Sequence, residues 1–316
     1  MAAAESVPVV TPEQIVARES VQKPRVGFAA LGAAILAVIA GILPQSIYTD
    51  FPRVYAIESL RDAAGQTIGR DGLRTAQILF IDDHALSLLV VAVAQGLSIA
   101  LIGVLLVFLF DASVVRGAST GRMARLLAIV GAGAGALGAI VLQIAVMISA
   151  SDFASSSDHS TAAAHDALRG GVVVAASGVG FVGSLSLAAA FVLITLGAMR
   201  VGLLTRFLGV LGAIVGALIL LGPLSGSPTF IVQAFWLAMV GVLLLGRWPG
   251  AGVPAAWPDG EARPWPTQQE IREAKDRARG GGGYTKAPEP VATSNGLPSD
   301  GSASPATSAR KKRKRR

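Results

Sequence analysis

The sequence predicts an all-α, polytopic membrane protein with about six transmembrane helices and a disordered cytoplasmic tail. Three observations carry this reading: long uncharged apolar runs, arginines gathered at alternate ends of those runs, and a mean hydropathy of +0.59 with 52% apolar and only 15% charged residues. Such a composition lies outside the range of soluble domains. A helix rises about 1.5 Å per residue, so about 20 apolar residues cross roughly 30 Å of hydrocarbon. Two runs of that length lie between Gly171 and Leu221, separated by the basic hinge Met199-Arg200-Val201-Gly202-Leu203-Leu204-Thr205-Arg206. Arginine in a short connection marks the cytoplasmic side, so this hairpin orients its neighbours.

Residues 1–24 carry Glu5, Glu13 and Glu19 with no apolar periodicity and read as a disordered cytoplasmic N-terminus. The transmembrane part is residues 25–247. Its first span, about 26–47, is too long for a cleavable signal and follows Arg18, Lys23 and Arg25, which starts it inside. The connection from Tyr48 to Asp83 is then outside, and Val54, Ile57 and Leu60 recur in it at the spacing of a short amphipathic helix lying on the surface. Spans follow at about 85–110 and 123–149, joined inside by a segment with Arg116 and Arg122, with Arg125 at the helix mouth. A Ser-, Asp- and Ala-rich outer loop leads to the spans at about 171–199 and 203–222. An uncharged turn then precedes the sixth, about 229–246, which Arg247 stops inside. Both termini are cytoplasmic in this scheme, in the cell membrane.

Residues 248–316 form a Pro- and Trp-containing, then basic, cytoplasmic tail. Trp248, Trp257 and Trp265 each sit beside proline, and tryptophan's preference for the headgroup level runs this segment along the inner surface. Thr267 to Arg279 reads as a short exposed helix, with Thr267 and Glu270 as a capping box and Glu273 with Arg277 at the four-residue spacing. Of the 27 basic residues, seven are the last seven: Arg310, Lys311, Lys312, Arg313, Lys314, Arg315 and Arg316; the other 20 balance the 20 acidic ones. The net charge of +7 therefore belongs to the tail. Membrane lipids with anionic headgroups are its first candidate partner and an acidic cytoplasmic protein the second, with nucleic acid below both.

Two stretches match the three-glycine dinucleotide pattern, Gly133-Ala-Gly135-Ala-Leu-Gly138 and Gly178-Val-Gly180-Phe-Val-Gly183. Each lies inside an apolar span, with no preceding strand and no acidic residue placed for a ribose. They read instead as small-residue faces that let helix backbones approach in lipid, as do Gly131 with Gly135 and Gly212 with Gly216. Such faces serve packing within one chain or in a homo-oligomer.

No ionisable residue falls well inside any predicted span, which argues against proton relays and voltage sensors. What remains there are Gln45, Gln95, Gln143 and Gln233, which read as interhelical hydrogen-bonding groups or as the lining of a polar, outward-facing cavity. With no cysteine in the chain, thiol chemistry is excluded. Asp82-Asp83-His84, Asp158-His159 and His165-Asp166 carry metal-ligand residue types, but read as solvated loops rather than a metal site. No nucleophile elbow is present, and no cofactor is expected.

The segments Arg200-Val-Gly-Leu-Leu-Thr-Arg206-Phe-Leu-Gly209, Gly246-Arg-Trp-Pro-Gly250 and Pro264-Trp-Pro-Thr-Gln-Gln-Glu270 resemble a family of uncharacterised multi-spanning membrane proteins of high-GC actinobacteria. The resemblance covers the six spans and the Trp-Pro segment. It implies location and architecture and carries over no activity, cofactor or functional residue. The functional expectation is a non-enzymatic scaffold or interaction protein with a lipid- or partner-binding tail. The alternative is a transporter or sensor subunit holding a small neutral or zwitterionic molecule near Gln45, Gln143 and Gln233.

Overall fold

A computed structural model of the chain describes residues 11–66, 72–225, 229–249, 253–266 and 268–280, of which 81% are α-helical and none lies in a strand. The chain divides into two compact units, Met1–Trp265 and Pro266–Arg316.

The first unit begins with α1 (Pro12–Ile47), followed by a 3-10 turn (Tyr48–Asp50) and the short helices α2 (Ala56–Ala63) and α3 (Thr75–Asp83). Then come α4 (Ala85–Val115), α5 (Arg122–Ser155), α6 (Thr161–Leu168), α7 (Gly171–Arg200), α8 (Arg206–Ser225), α9 (Thr229–Leu244) and the one-turn α10 (Ala256–Asp259). Four helices, α1, α4, α5 and α7, are long and apolar enough to cross a membrane, and α8 and α9 are shorter apolar helices. The chain is an integral multi-pass membrane protein by these four.

Residues 12–24 are not a disordered lead-in but the first turns of α1. Pro12 opens the helix, and the Thr11 N–H donates to Gln14 Oε1 at 3.2 Å, one half of a capping box. The buried face of these turns holds Ile15 and Glu19, too few apolar residues to show a period.

The six apolar helices close a ring: α1 packs on α4, α4 on α5, α5 on α7, α7 on α8, α8 on α9, and α9 returns to α1, while α4 also touches α7 across the middle. The core runs through Ile102, Leu105 and Leu109 of α4, Phe191 and Ile194 of α7, and Trp236, Leu237 and Val240 of α9. Trp236 is fully buried, edge-on to Phe191, and its indole N–H donates to Leu208 O at 2.8 Å. Side chains such as Ile35, Leu137, Phe181 and Phe235 point outward and are exposed, the pattern expected where the surroundings are lipid.

The two glycine-rich stretches of α5 and α7 lie against each other. A Cβ added at Gly138 would stand 2.7 Å from Gly180 Cα, one at Gly131 2.5 Å from Leu187 N, and one at Gly183 would collide with the Gly135 nitrogen. Backbone meets backbone along two turns. Gly133 and Gly178, which share the motifs but face away, have nothing within 4 Å.

We call the end of the bundle with the α7–α8 hinge the hinge end, and the opposite one the cap end. At the cap end the loop after α5 does not remain solvated. Ser160 caps α6 through Ala163 N–H, and Ala164 packs with Ile78, Ala150 and Phe153 in a second small core. Thr75 Oγ1 donates to His159 O at 2.8 Å, and Leu73 N–H to Thr161 Oγ1 at 3.2 Å. In contrast, α2 leaves Ile57 and Leu60 exposed and makes no extended packing on another helix among the described residues.

The described part of the second unit is α11 (Gln268–Gly280), where Gln269 Nε2 donates to Glu273 Oε1 at 3.2 Å. Thr267 and Arg310 to Arg316 lie outside the described residues.

Gly183→Ala should lower the unfolding temperature in detergent, costing about 1–3 kcal/mol, because the α7 backbone has to move to admit one methyl. Gly178→Ala, with open space and better helix propensity, should leave it unchanged or raise it by up to about 1 kcal/mol.

Candidate functional site

At the hinge end one buried ion pair joins the early turns of α1, the end of α4 and α10. Helix α4 stops at Gly117, whose φ of +80° and the bond from Ala118 N–H to Ser113 O form a left-handed terminus. That stop leaves Arg116 in the last turn, aimed inward, with its side chain fully buried. Nη1 and Nη2 meet Glu19 Oε1 and Oε2 at 2.5 and 2.8 Å, Nη1 also donates to Ala112 O at 3.0 Å, and Nε donates to Ala256 O at 3.0 Å. A forked pair whose guanidinium also bonds two backbone carbonyls is the arrangement in which a buried charge is tolerated. Arg116 is thus a structural partner of Glu19, not a loop base facing headgroups.

Residues 253–265 cross this end as a strap. The Trp257 ring is buried, stacked on Phe108 at 5.9 Å and 7°, with Lys23 Nζ 4.6 Å and Arg116 Cζ 5.4 Å from its centroid. Cations over an indole face gain from the ring quadrupole. Helix α7 also ends in a left-handed glycine, Gly202 at φ +79°, and its side without Cβ is filled by Arg263 O of the strap. The carbonyls that the helix end leaves without helical partners are answered from the strap. Trp257 Nε1 donates to Leu203 O and Trp265 Nε1 to Leu204 O, both at 2.9 Å, and Arg263 N–H donates to Val201 O at 3.0 Å. Tryptophan 257 therefore plugs the bundle rather than lying among headgroups.

Beside the strap opens a groove of about 1030 Å³ between α1 and α5, floored by α4. It exists because α1 and α5 each pack on α4 without extended packing on each other. Gln14, Arg18, Gln22 and Arg25 form one stripe of α1 at its mouth, spaced four, four and three residues apart. Across from them Arg125 Nε donates to Asp111 Oδ1 at 3.1 Å, both half exposed. Below the mouth the lining is apolar, with Gly103, Val104, Ile129, Gly133 and Leu137.

The four glutamines do not converge. Gln45 is exposed, donates to Gly41 O of its own helix at 3.1 Å, and lines a second groove of about 810 Å³ between α1 and α9. Gln95 and Gln233 are half-buried on α4 and α9, and no hydrogen bond joins any two of the four. Gln143 on α5 has a buried Nε2 with no hydrogen-bond partner. Among the cap-end groups, His84 stacks on Phe80 at 4.1 Å with Nδ1 2.9 Å from Phe80 O, and His159 leans on Phe153. The Ser160 backbone N–H, and then its hydroxyl, hold the Asp158 carboxyl below the usual carboxylate range. Among the described residues no three His, Asp or Glu side chains gather as a metal site would need.

Sequence reasoning missed the Glu19–Arg116 pair and the groove mouth. The acid at position 19 was the available signal: a glutamate between Arg18 and Lys23 on a membrane-entry helix invites a search for its cation. Compared with known proteins, the chain matches no family model, no curated protein and no solved structure. What is shown is a multi-helical chain with four long apolar helices, and no family is identified.

Replacing Arg116 alone by Met should cost about 3–5 kcal/mol in thermal unfolding, since Glu19 is left buried and unpaired. Replacing both partners, Arg116→Met with Glu19→Leu, should recover most of that loss.

Proposed function

We propose that the chain is a non-enzymatic, six-span scaffold of the cell membrane whose hinge end faces the cytoplasm and presents the tail to anionic headgroups or an acidic protein. The observation that carries this reading is the strap. It anchors the chain at the hinge through three hydrogen bonds, and Trp265 is the last residue of the first compact unit. A basic segment that reaches a negative surface gains up to roughly 1 kcal/mol per cation.

Six spans require α8 and α9 to cross as a hairpin. Helix α8, with 20 residues, is about 30 Å long at 1.5 Å per residue, and the 16 residues of α9 reach about 24 Å before the following turn is counted. Arg18, Arg25, Arg125, Arg200 and Arg247 at one end favour that end as the cytoplasmic one. The resemblance to the actinobacterial multi-span proteins belongs to the same proposal; of the segments that carry it, the hinge and Trp265 meet here.

A second reading, a carrier or sensor with a polar cavity, is favoured by one observation, the unpartnered Nε2 of Gln143. It predicts that Gln143→Leu and Gln233→Leu abolish function while tail truncation does not.

Two experiments test the leading reading. Affinity purification from crosslinked membranes should recover an anionic lipid or a protein with the full-length chain and lose it with a chain ending at Ala309; equal recovery would refute the role of the tail. Because the native chain has no cysteine, single introduced thiols report topology directly. Ser157→Cys should react with an impermeant maleimide on intact cells, and Ser302→Cys only after permeabilisation.

A further inference from the structure

We propose that the groove between α1 and α5 is a binding site for one anionic phospholipid, its phosphate held by Arg18, Arg25 and Arg125 and one acyl chain lying along α4. The mouth and the wall are of opposite character and lie at opposite ends of the same space. At the mouth, Asp111 offsets one arginine, and Glu19 is already satisfied by Arg116. Arg18 and Arg25 are exposed and make no ion pair among the described residues. Two net positive charges therefore face the opening. Gln14 and Gln22 alternate with them on the same stripe and add amide donors that suit phosphate and glycerol oxygens.

The dimensions select a lipid of one leaflet. From Arg125 to Leu137 the groove follows α5 for about 18 Å at 1.5 Å per residue, a little more than half of the roughly 30 Å hydrocarbon thickness. One chain entering beside the arginines is buried to its end. Val104, Ile129 and Leu137 are about half exposed or more, at 51%, 47% and 64%, and an acyl chain would cover them. Two other occupants fit less well by charge. A second, parallel copy would bring its own arginine-rich mouth to this one, and the last seven residues of the chain are all positive.

The site does not involve the tail, so its test and that of the tail are separable. Delipidated full-length protein in neutral detergent is titrated with dioleoyl phosphatidylglycerol and with dioleoyl phosphatidylcholine, and bound lipid is counted by native mass spectrometry. One phosphatidylglycerol per monomer is expected, bound at least about tenfold tighter than phosphatidylcholine, and unchanged when the chain ends at Ala309. At roughly fivefold per arginine, the pair Arg18→Gln and Arg25→Gln should bring phosphatidylglycerol down to the level of phosphatidylcholine. Gly133→Phe, whose Cβ enters open space within the groove, should remove both lipids while the helical content and unfolding temperature stay at wild-type values. The proposal is overturned by equal affinity for the two lipids, by unchanged binding in either variant, by lipid-free dimers at the same concentration, or by inorganic phosphate displacing the lipid completely.

Discussion

A guanidinium removed from water has five N–H bonds to satisfy, and at Arg116 the acceptors come from its own helix and from two distant parts of the chain. Ala112 lies one turn earlier in α4, Glu19 near the start of α1, and Ala256 in the strap that follows the last apolar helix. The pair thereby decides where α1 and α4 meet and where the strap can lie. Once the strap is placed, its indoles and one backbone N–H reach the α7–α8 hinge. The hinge end is ordered through one charge, and the order spreads outward through carbonyls that helices cannot satisfy themselves.

The glycine face between α5 and α7 acts on the other side of the ring. In lipid, helices gain little from hiding apolar surface, so contact goes to the pair that can come closest. Gly131, Gly135 and Gly138 commit α5 to α7, and the opposite side of α5, with Ile129 and Leu137, is left apart from α1. The groove is the complement of that tight interface. A bulkier α5–α7 contact would have given a different gap on the far side.

Much of this was legible in the sequence, for reasons particular to each element. The long apolar runs announce themselves by length. The two false dinucleotide motifs are readable as packing faces because their context is wrong for a nucleotide, and the amphipathic α2 shows its period in Ile57 and Leu60. Part of what escaped depends on partners far along the chain. Nothing within a dozen residues of Trp257 indicates Phe108 or Leu203 O, so its headgroup preference was the only local guide. The early turns of α1 lack a period because one of their buried residues is an acid. The cap-end helix α6 packs through Ala164, flanked by half-buried Ala163 and Ala167, and alanine's local signal there is that of a loop. The candidate glutamines were read by depth alone, and depth does not say around which side of a helix a residue lies.

The ring has a seam, and the seam joins the first apolar helix to the last apolar helix. Helix α9 seals the bundle against α1, with Gly27 and Gly241 at the crossing, so nothing completes the enclosure until roughly 200 further residues have been made. At about 5–20 residues per second of synthesis, that is a wait on the order of 10–40 s. Throughout it, the α1 face with Glu19 and Ala30 stands in the bilayer without α9 or the strap. A nascent chain halted in this interval would hold an ion pair that still lacks its Ala256 acceptor. The last apolar helix and the strap are thus what complete the structure, and everything made before them waits.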